Sequence, residues 1–248
     1  MASVNRSASK PIVIHNFYQN LPERYKIISD SLQLMPGILE HPYRAMIVGA
    51  TGAMKTNLFI NIMVLSGVFN RKSMFDRVIY VCPTVDHQPL IKEALDDQHE
   101  RLIVISSLDD LPEVDDFKEA GPTLVCFDDL LSAGRKDTQK IERWFLKSRI
   151  KNCSLIYISQ SYYGVSKTIR QQMTNLMLKN MGSLKDLSLI LSDFNDNTDV
   201  RYVKQCYKIS MKQPAGFFFI DLRSSGEGKF RCGFDRPFPP PPSLSDDL

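Results

Sequence analysis

The sequence predicts an α/β fold, with a mostly parallel central sheet flanked by helices. Three observations predict it. Short apolar runs of strand character alternate with segments of helical spacing. The runs Tyr43–Val48, Thr123–Phe127 and Ser154–Ser159 are apolar without alternation, as strands covered on both faces are. Each of these runs ends abruptly on glycine, aspartate or glutamine, where parallel sheets gather ligands.

The elements follow in order. Residues 1–40 read as an arm, with scattered apolar residues at Leu32, Leu34, Ile38 and Leu39 but no long period. Residues 41–236 read as the folded domain. Tyr43–Val48 is its first strand, and Leu58, Ile62 and Leu65 mark Lys55–Ser66 as a helix. Arg77–Cys82 is a β-branched and aromatic strand that Pro83 stops. A helix over His87–Leu95 and a short strand over Leu102–Ile105 come next, then an acidic stretch, Leu108–Glu119. Thr123–Phe127 is a buried strand and Thr138–Lys147 an amphipathic helix with Ile141 and Phe145 on one face. After the Ser154–Ser159 strand, helical patterns occupy Ser166–Met173, Leu187–Phe194 and Asp199–Ile209. Gly216–Leu222 and Lys229–Phe234 form a terminal hairpin. Residues 237–248 are a proline-rich, acidic tail expected to be extended.

Bulk properties bound the class. Of 248 residues, 43% are hydrophobic and 24% charged, which fits a soluble globular domain. No apolar run is long enough to span a bilayer, and the polar N-terminus lacks a signal-peptide core. The five cysteines form no CxxC pair, so they read as buried thiols in a reducing compartment. A net charge of +3 neither demands nor excludes nucleic acid, because a binding channel depends on local charge.

Gly49-Ala50-Thr51-Gly52-Ala53-Met54-Lys55-Thr56 leaves a strand and opens a helix, the setting a phosphate-binding loop requires. Its glycines let backbone N–H groups turn around an anion, and the helix N-terminus adds its positive dipole end. Lys55 is placed to reach the β- and γ-phosphates of ATP, and the Thr56 hydroxyl to bind Mg²⁺. One position departs from G-x-x-x-x-G-K-[ST]: Met54 stands where glycine precedes the lysine. If that position needs positive φ, the side chain costs about 1–3 kcal/mol. About 8 kcal/mol underlies micromolar binding, so the site is weakened rather than abolished.

Asp128 and Asp129 end the next buried strand. Asp128 is assigned to Mg²⁺, directly or through water, and Asp129 to orienting or deprotonating the attacking water. The long interval from Thr56 leaves room for the intervening strand–helix unit such a fold demands. Gln160, ending the Ser154–Ser159 strand, can hydrogen-bond the γ-phosphate or the lytic water.

Arg135–Lys151 carries seven cations: Arg135, Lys136, Lys140, Arg143, Lys147, Arg149 and Lys151. They read either as the solvated face of an amphipathic helix or as phosphate contacts lining a nucleic-acid channel. One of them, at a subunit edge, is a candidate arginine finger, and Arg170 is a second candidate for a phosphate-sensing or intersubunit role. Tyr162 and Tyr163 could pack in the core or stack on DNA bases, with core the favoured reading.

Taken in order, these residues resemble the genome-packaging ATPases of virophages and large eukaryotic DNA viruses, the poxvirus-type branch of the FtsK–HerA superfamily. The resemblance spans about His41 to Met181, over half the chain. It rests on His41–Gly49 leading into the phosphate loop, Phe127-Asp128-Asp129, the stretch Arg149–Gln160, and Ile169-Arg170. It implies a RecA/FtsK–HerA-like P-loop NTPase hydrolysing ATP with Mg²⁺, a homo-oligomeric ring (usually a hexamer), and translocation of double-stranded DNA into a capsid. It further implies a shared arginine at Arg149, a capsid or portal-region partner, and residence in the host cytoplasm (the virus factory) or on the virion. Two other readings stay open from the residues alone: a helicase-like remodelling ATPase, and a degenerate nucleotide-binding assembly factor that Met54 favours.

Overall fold

The computed structural model describes residues 38–68, 73–96, 101–118, 121–181, 184–193 and 198–240. Most of the predicted arm (1–37) and of the tail (241–248) lies outside the described residues. Ile38 and Leu39, at the end of the arm stretch, are buried in the core.

The chain runs β1 (Arg44–Val48), α1 (Lys55–Leu65), β2 (Arg77–Val81), a 3-10 turn (Val85–His87), α2 (Pro89–Asp96), β3 (Leu102–Ile105), β4 (Thr123–Asp128), α3 (Arg135–Lys147) and β5 (Cys153–Ser159). It continues through α4 (Lys167–Gln171), β6 (Asn175–Leu178), α5 (Leu184–Asp193), α6 (Val200–Met211), β7 (Phe218–Asp221), β8 (Phe230–Cys232) and β9 (Arg236–Pro237). One nine-stranded sheet has the order β3-β2-β4-β5-β1-β6-β7-β8-β9. The first six strands in that order pair in parallel, and the last three are antiparallel. The expected α/β architecture is therefore present, with β7 and β8 as the terminal hairpin.

The continuous apolar runs have a simple cause. Val125 and Phe127 of β4 join the core under α3, α5 and α6, while Leu124 and Cys126 face the core under α1 and α2. A strand covered on both faces has no polar side to alternate with. The same holds for α1, whose residues from Thr56 to Leu65 are all buried. Ile141, Trp144 and Phe145 seat α3 on the other face. All five cysteines are buried and free.

Some boundaries differ from expectation. The strand β6 has no counterpart in the sequence reading, which gave its neighbourhood to a helix over Ser166–Met173. That helix is only Lys167–Gln171, capped by Ser166, whose Oγ accepts from the Ile169 N–H at 3.3 Å. Three apolar residues after Asn175, without a bounding turn, carry too little period to reveal β6. The two-residue β9 was likewise unread, and α3 begins at Arg135, earlier than expected.

Candidate nucleotide site

The order β4-β5-β1 puts three chemically loaded strand ends side by side. Val48 pairs with Ser159 and Asp128 with Ile158, so Gly49, Gln160 and Asp129 all emerge at one edge. There they border a cavity of about 670 Å³, lined among others by Thr51, Lys55, Thr56, Asp128, Asp129 and Gln160.

The loop from Gly49 is fixed from below. The Gly49 N–H donates to the Ser159 carbonyl (3.2 Å) and the Ala50 N–H to that of Asn180 (2.8 Å). A Cβ on Gly49 would stand 2.7 Å from the Lys179 Cβ, so only glycine fits there. Gly52 has φ +77°, and Met54 has φ 59° and ψ 40°, left-handed backbone at both. The structure thus puts the one non-glycine of the motif in the conformation that favours glycine. Lys55 Nζ donates to the carbonyls of Gly49 (2.9 Å) and Ala50 (3.0 Å), folding back over the loop. Burial lowers its pKa, against the opposing pull of Asp128 and Asp129. No acid sits in the first turn of α1, which leaves its positive end uncompensated.

Asp128 is 5% exposed. Its carboxylate has no ion pair within 4 Å among the described residues and accepts from the Tyr80 hydroxyl through Oδ2. Burial pushes its pKa up to about 6; the Tyr80 hydrogen bond opposes this, Asp129 adds to it and Lys55 opposes it. Burial also raises the Tyr80 phenol well above its ordinary range, so Tyr80 keeps its proton and is the donor. Asp129 is half-buried at φ 57° and accepts from Thr84 Oγ1 at 2.7 Å. Thr56 Oγ1 donates to Gln88 Oε1 at 3.3 Å, and Thr51 Oγ1 to Gln160 Oε1 at 2.9 Å. A buried carboxylate without a cation, beside a threonine hydroxyl on the same cavity, is a hard-oxygen pair that suits Mg²⁺. No cluster of three or more His, Cys, Asp or Glu that could hold a metal occurs among the described residues.

This is a P-loop NTPase fold. The genome packaging NTPase B204 of Sulfolobus turreted icosahedral virus 2, solved with sulfate, superposes at a TM-score of 0.52 and 14% identity, over 78% of this chain and 96% of that one. Its AMPPCP complex gives 0.51 and 15%, over 80% and 98%. B204 described as the DNA-packaging ATPase of Sulfolobus turreted icosahedral virus gives 0.50 and 16%, over 80% and 98%. No family model and no curated protein matches the chain.

The remaining candidates lie elsewhere in the fold. Arg149 is exposed and precedes β5, at the end of the sheet opposite the cavity. Arg170 packs 5.0 Å and 4.6 Å from the ring centres of Tyr162 and Tyr163 and pairs with Asp193 at 3.5 Å. It does not line the cavity. Tyr162 is core as expected, whereas Tyr163 is 42% exposed.

The basic helix is largely neutralised. Lys136 faces Asp109 (3.8 Å), Arg143 faces Glu113 (3.2 Å) and Lys147 faces Asp115 (2.6 Å). Lys140 reaches the Leu108 carbonyl (2.8 Å), and Lys151 that of Asp115 (3.0 Å). The acidic stretch after β3 therefore folds against the basic segment, a match in charge that the two could have signalled together. On α6, Arg201, Lys204 and Lys208, with Lys212 at its C-cap, recur at helical spacing, with no ion pair among the described residues. Among the described residues, no helix is long and apolar enough to cross a membrane.

Sequence reasoning missed Tyr80, Thr84, Gln88 and Lys179. Thr84 obeys the rule that found Asp128 and Gln160, a polar residue just past a buried strand, but Pro83 masked it as a stop signal. Lys179, just past β6, is 3% exposed and donates to the Ala215 carbonyl at 2.7 Å. Burial lowers its pKa to about 8.

Proposed function

We propose that this chain is an Mg²⁺-dependent ATPase that moves double-stranded DNA during packaging of a viral genome. The observation that carries the reading is the convergence of Lys55, Thr56, Asp128, Asp129 and Gln160 on one cavity. In ATP turnover, Lys55 leaves the two loop carbonyls for the β- and γ-phosphates, and the loop N–H groups and the end of α1 add positive potential. Thr56 and Asp128 would hold Mg²⁺, which would supply charge screening for the phosphate oxygens. Asp129 and Gln160 align a water on the γ-phosphorus. As its oxygen bonds to phosphorus, the bond to the β–γ bridging oxygen breaks and the water's proton moves toward Asp129.

DNA as partner is supported by the packaging role stated for the B204 neighbours and by the cations of α6, which outnumber what α3 retains for phosphates. A ring of identical subunits, a capsid or portal-region contact, and work in the host cytoplasm or on the virion complete the proposal. The left-handed Met54 favours a second reading, a nucleotide-binding assembly factor with little turnover. Phosphate release with and without double-stranded DNA separates them. The expected result is DNA-stimulated hydrolysis that Lys55→Ala abolishes. Turnover that survives this substitution would sink the assignment, and nucleotide binding without turnover would favour the second reading.

A further inference from the structure

Three groups on which the proposed chemistry depends are each held by one short segment that carries none of the chemistry. Tyr80 lies in β2, Thr84 in the turn after it, and Gln88 at the end of the 3-10 turn. The Tyr80 hydroxyl donates to Asp128 Oδ2, and Thr84 Oγ1 donates to Asp129 Oδ2 at 2.7 Å. Gln88 Oε1 accepts from Thr56 Oγ1 at 3.3 Å. The segment is itself pinned by the backbone: Cys82 N–H to the Ile105 carbonyl (2.9 Å), Val85 N–H to Cys82 (3.3 Å) and Gln88 N–H to Val85 (2.9 Å). Since β2 lies beside β4 in the sheet, Tyr80 pairs with Cys126, and its side chain reaches two residues along the same face to Asp128 at the end of β4.

We propose that Tyr80, Thr84 and Gln88 are positioning residues that decide which lone pairs of Asp128, Asp129 and Thr56 face the cavity. The argument is one of hydrogen-bond capacity. A carboxylate is acceptor-only, so a donor fixed on Oδ2 stops the group rotating and leaves Oδ1 for a cation or a water. A threonine hydroxyl has one proton and two lone pairs. With its proton spent on Gln88, Thr56 presents only lone pairs to a cation. Asp129 needs its tether most, because it sits at a left-handed backbone position and no other side-chain hydrogen bond or ion pair among the described residues holds its carboxylate. Outer partners of this kind typically change metal affinity or activity about 10–100-fold when removed.

This inference rests on the ATPase reading, and the experiment separates the two. Full-length wild type, Thr84→Val, Thr84→Ser, Tyr80→Phe and Gln88→Leu are compared with a fluorescent ATP analogue. Binding is measured in EDTA and across a Mg²⁺ titration, and ATP turnover alongside. Thr84→Val should lower kcat about 10–100-fold with analogue affinity within about threefold, and Thr84→Ser should restore most of it. Gln88→Leu and Tyr80→Phe should leave metal-free analogue binding intact and raise the Mg²⁺ midpoint at least several-fold. A Lys55-dependent wild type whose Thr84→Val kcat and Gln88→Leu Mg²⁺ midpoint are both unchanged overturns the inference and leaves the ATPase standing. A Thr84→Val loss that serine fails to restore likewise overturns it, since the hydroxyl is then not the cause. A wild type that neither binds the analogue nor hydrolyses ATP removes both readings.

Discussion

Thr51 Oγ1 donates to Gln160 Oε1 across 2.9 Å, joining the phosphate loop to the end of β5. Because Oε1 is taken, the two N–H groups of the Gln160 amide remain for a phosphate oxygen or a water. Gln160→Glu keeps the acceptor and loses both donors. It should therefore bind ATP within a few-fold of wild type and hydrolyse it on the order of 10²-fold more slowly. Thr51→Val frees the amide to rotate and should cost about tenfold or less, near the net worth of one hydrogen bond. If Thr51 acts through Gln160, the double variant should be no slower than Gln160→Glu alone. Steady-state kinetics of the four proteins checks this.

Met54 carries a side chain at φ 59° in a loop built for glycine. Left-handed backbone costs a non-glycine residue about 1–2 kcal/mol, and glycine returns about 0.5–1 kcal/mol of that through unfolded-state entropy. Met54→Gly should therefore be more stable by about 0–1.5 kcal/mol, a rise of at most roughly 3–6 °C in Tm. Analogue binding should tighten, since the loop no longer stores strain. Calorimetry with a binding titration tests both. A gain in Tm with a large loss of turnover would show that the thioether, which lines the cavity, contributes packing the nucleotide needs.

Lys179 sits beneath the phosphate loop with its pKa lowered by burial from the ordinary 10.5 to about 8. The sign follows from linkage. Between these values the unfolded chain binds more protons than the folded one, so the lysine's penalty shrinks as pH rises from 8. Relative to Lys179→Met, the wild type should gain on the order of 2 kcal/mol between pH 7.5 and pH 10. Urea midpoints of both proteins at the two pH values measure it. Parallel curves would mean the ammonium is better solvated than its 3% exposure implies.

What the sequence made legible follows the physics of each signal. Phosphate loop, paired aspartates and Gln160 were readable because each combines a local rule with a strand end, and parallel sheets align strand ends. Lys55 and Asp129 could thus be brought together without knowing the strand order. The insertion of β5 between β4 and β1 could not be read, because no local pattern encodes which parallel strands are neighbours. Tyr80 illustrates the same limit. It looks like one more aromatic in a buried strand, and only its pairing beside β4 turns it toward Asp128. The pairing of the α3 cations was out of reach for a related reason. Their helix spacing was legible, but their partners lie in the acidic stretch about 30 residues upstream, a tertiary contact with no period.

Arg149 is the last test, and geometry narrows what it can do. It precedes β5, whereas Gln160 follows it, and β5 has seven residues. At ~3.3 Å per residue the two ends are about 20 Å apart, so Arg149 cannot reach its own cavity. It is exposed and has no ion pair among the described residues, unlike most cations of α3. An arginine held away from its own site, with no ion pair among the described residues, suits a finger acting on a neighbouring subunit, where it would stabilise charge developing in the transition state. Arg170 suits that role less, with its guanidinium stacked on Tyr162 and Tyr163 and paired with Asp193. Arg149→Ala should bind the ATP analogue normally and hydrolyse ATP at least 10²-fold more slowly, within the 10³–10⁵ range known for such fingers or just below it. Mixed with Lys55→Ala, it should recover activity, because some intact Lys55 sites then face an intact Arg149. Phosphate release at fixed total protein, with co-assembly verified by light scattering, measures the recovery. Co-assembled mixtures that stay as inactive as the parents would remove Arg149 from the transition state and leave it a surface cation.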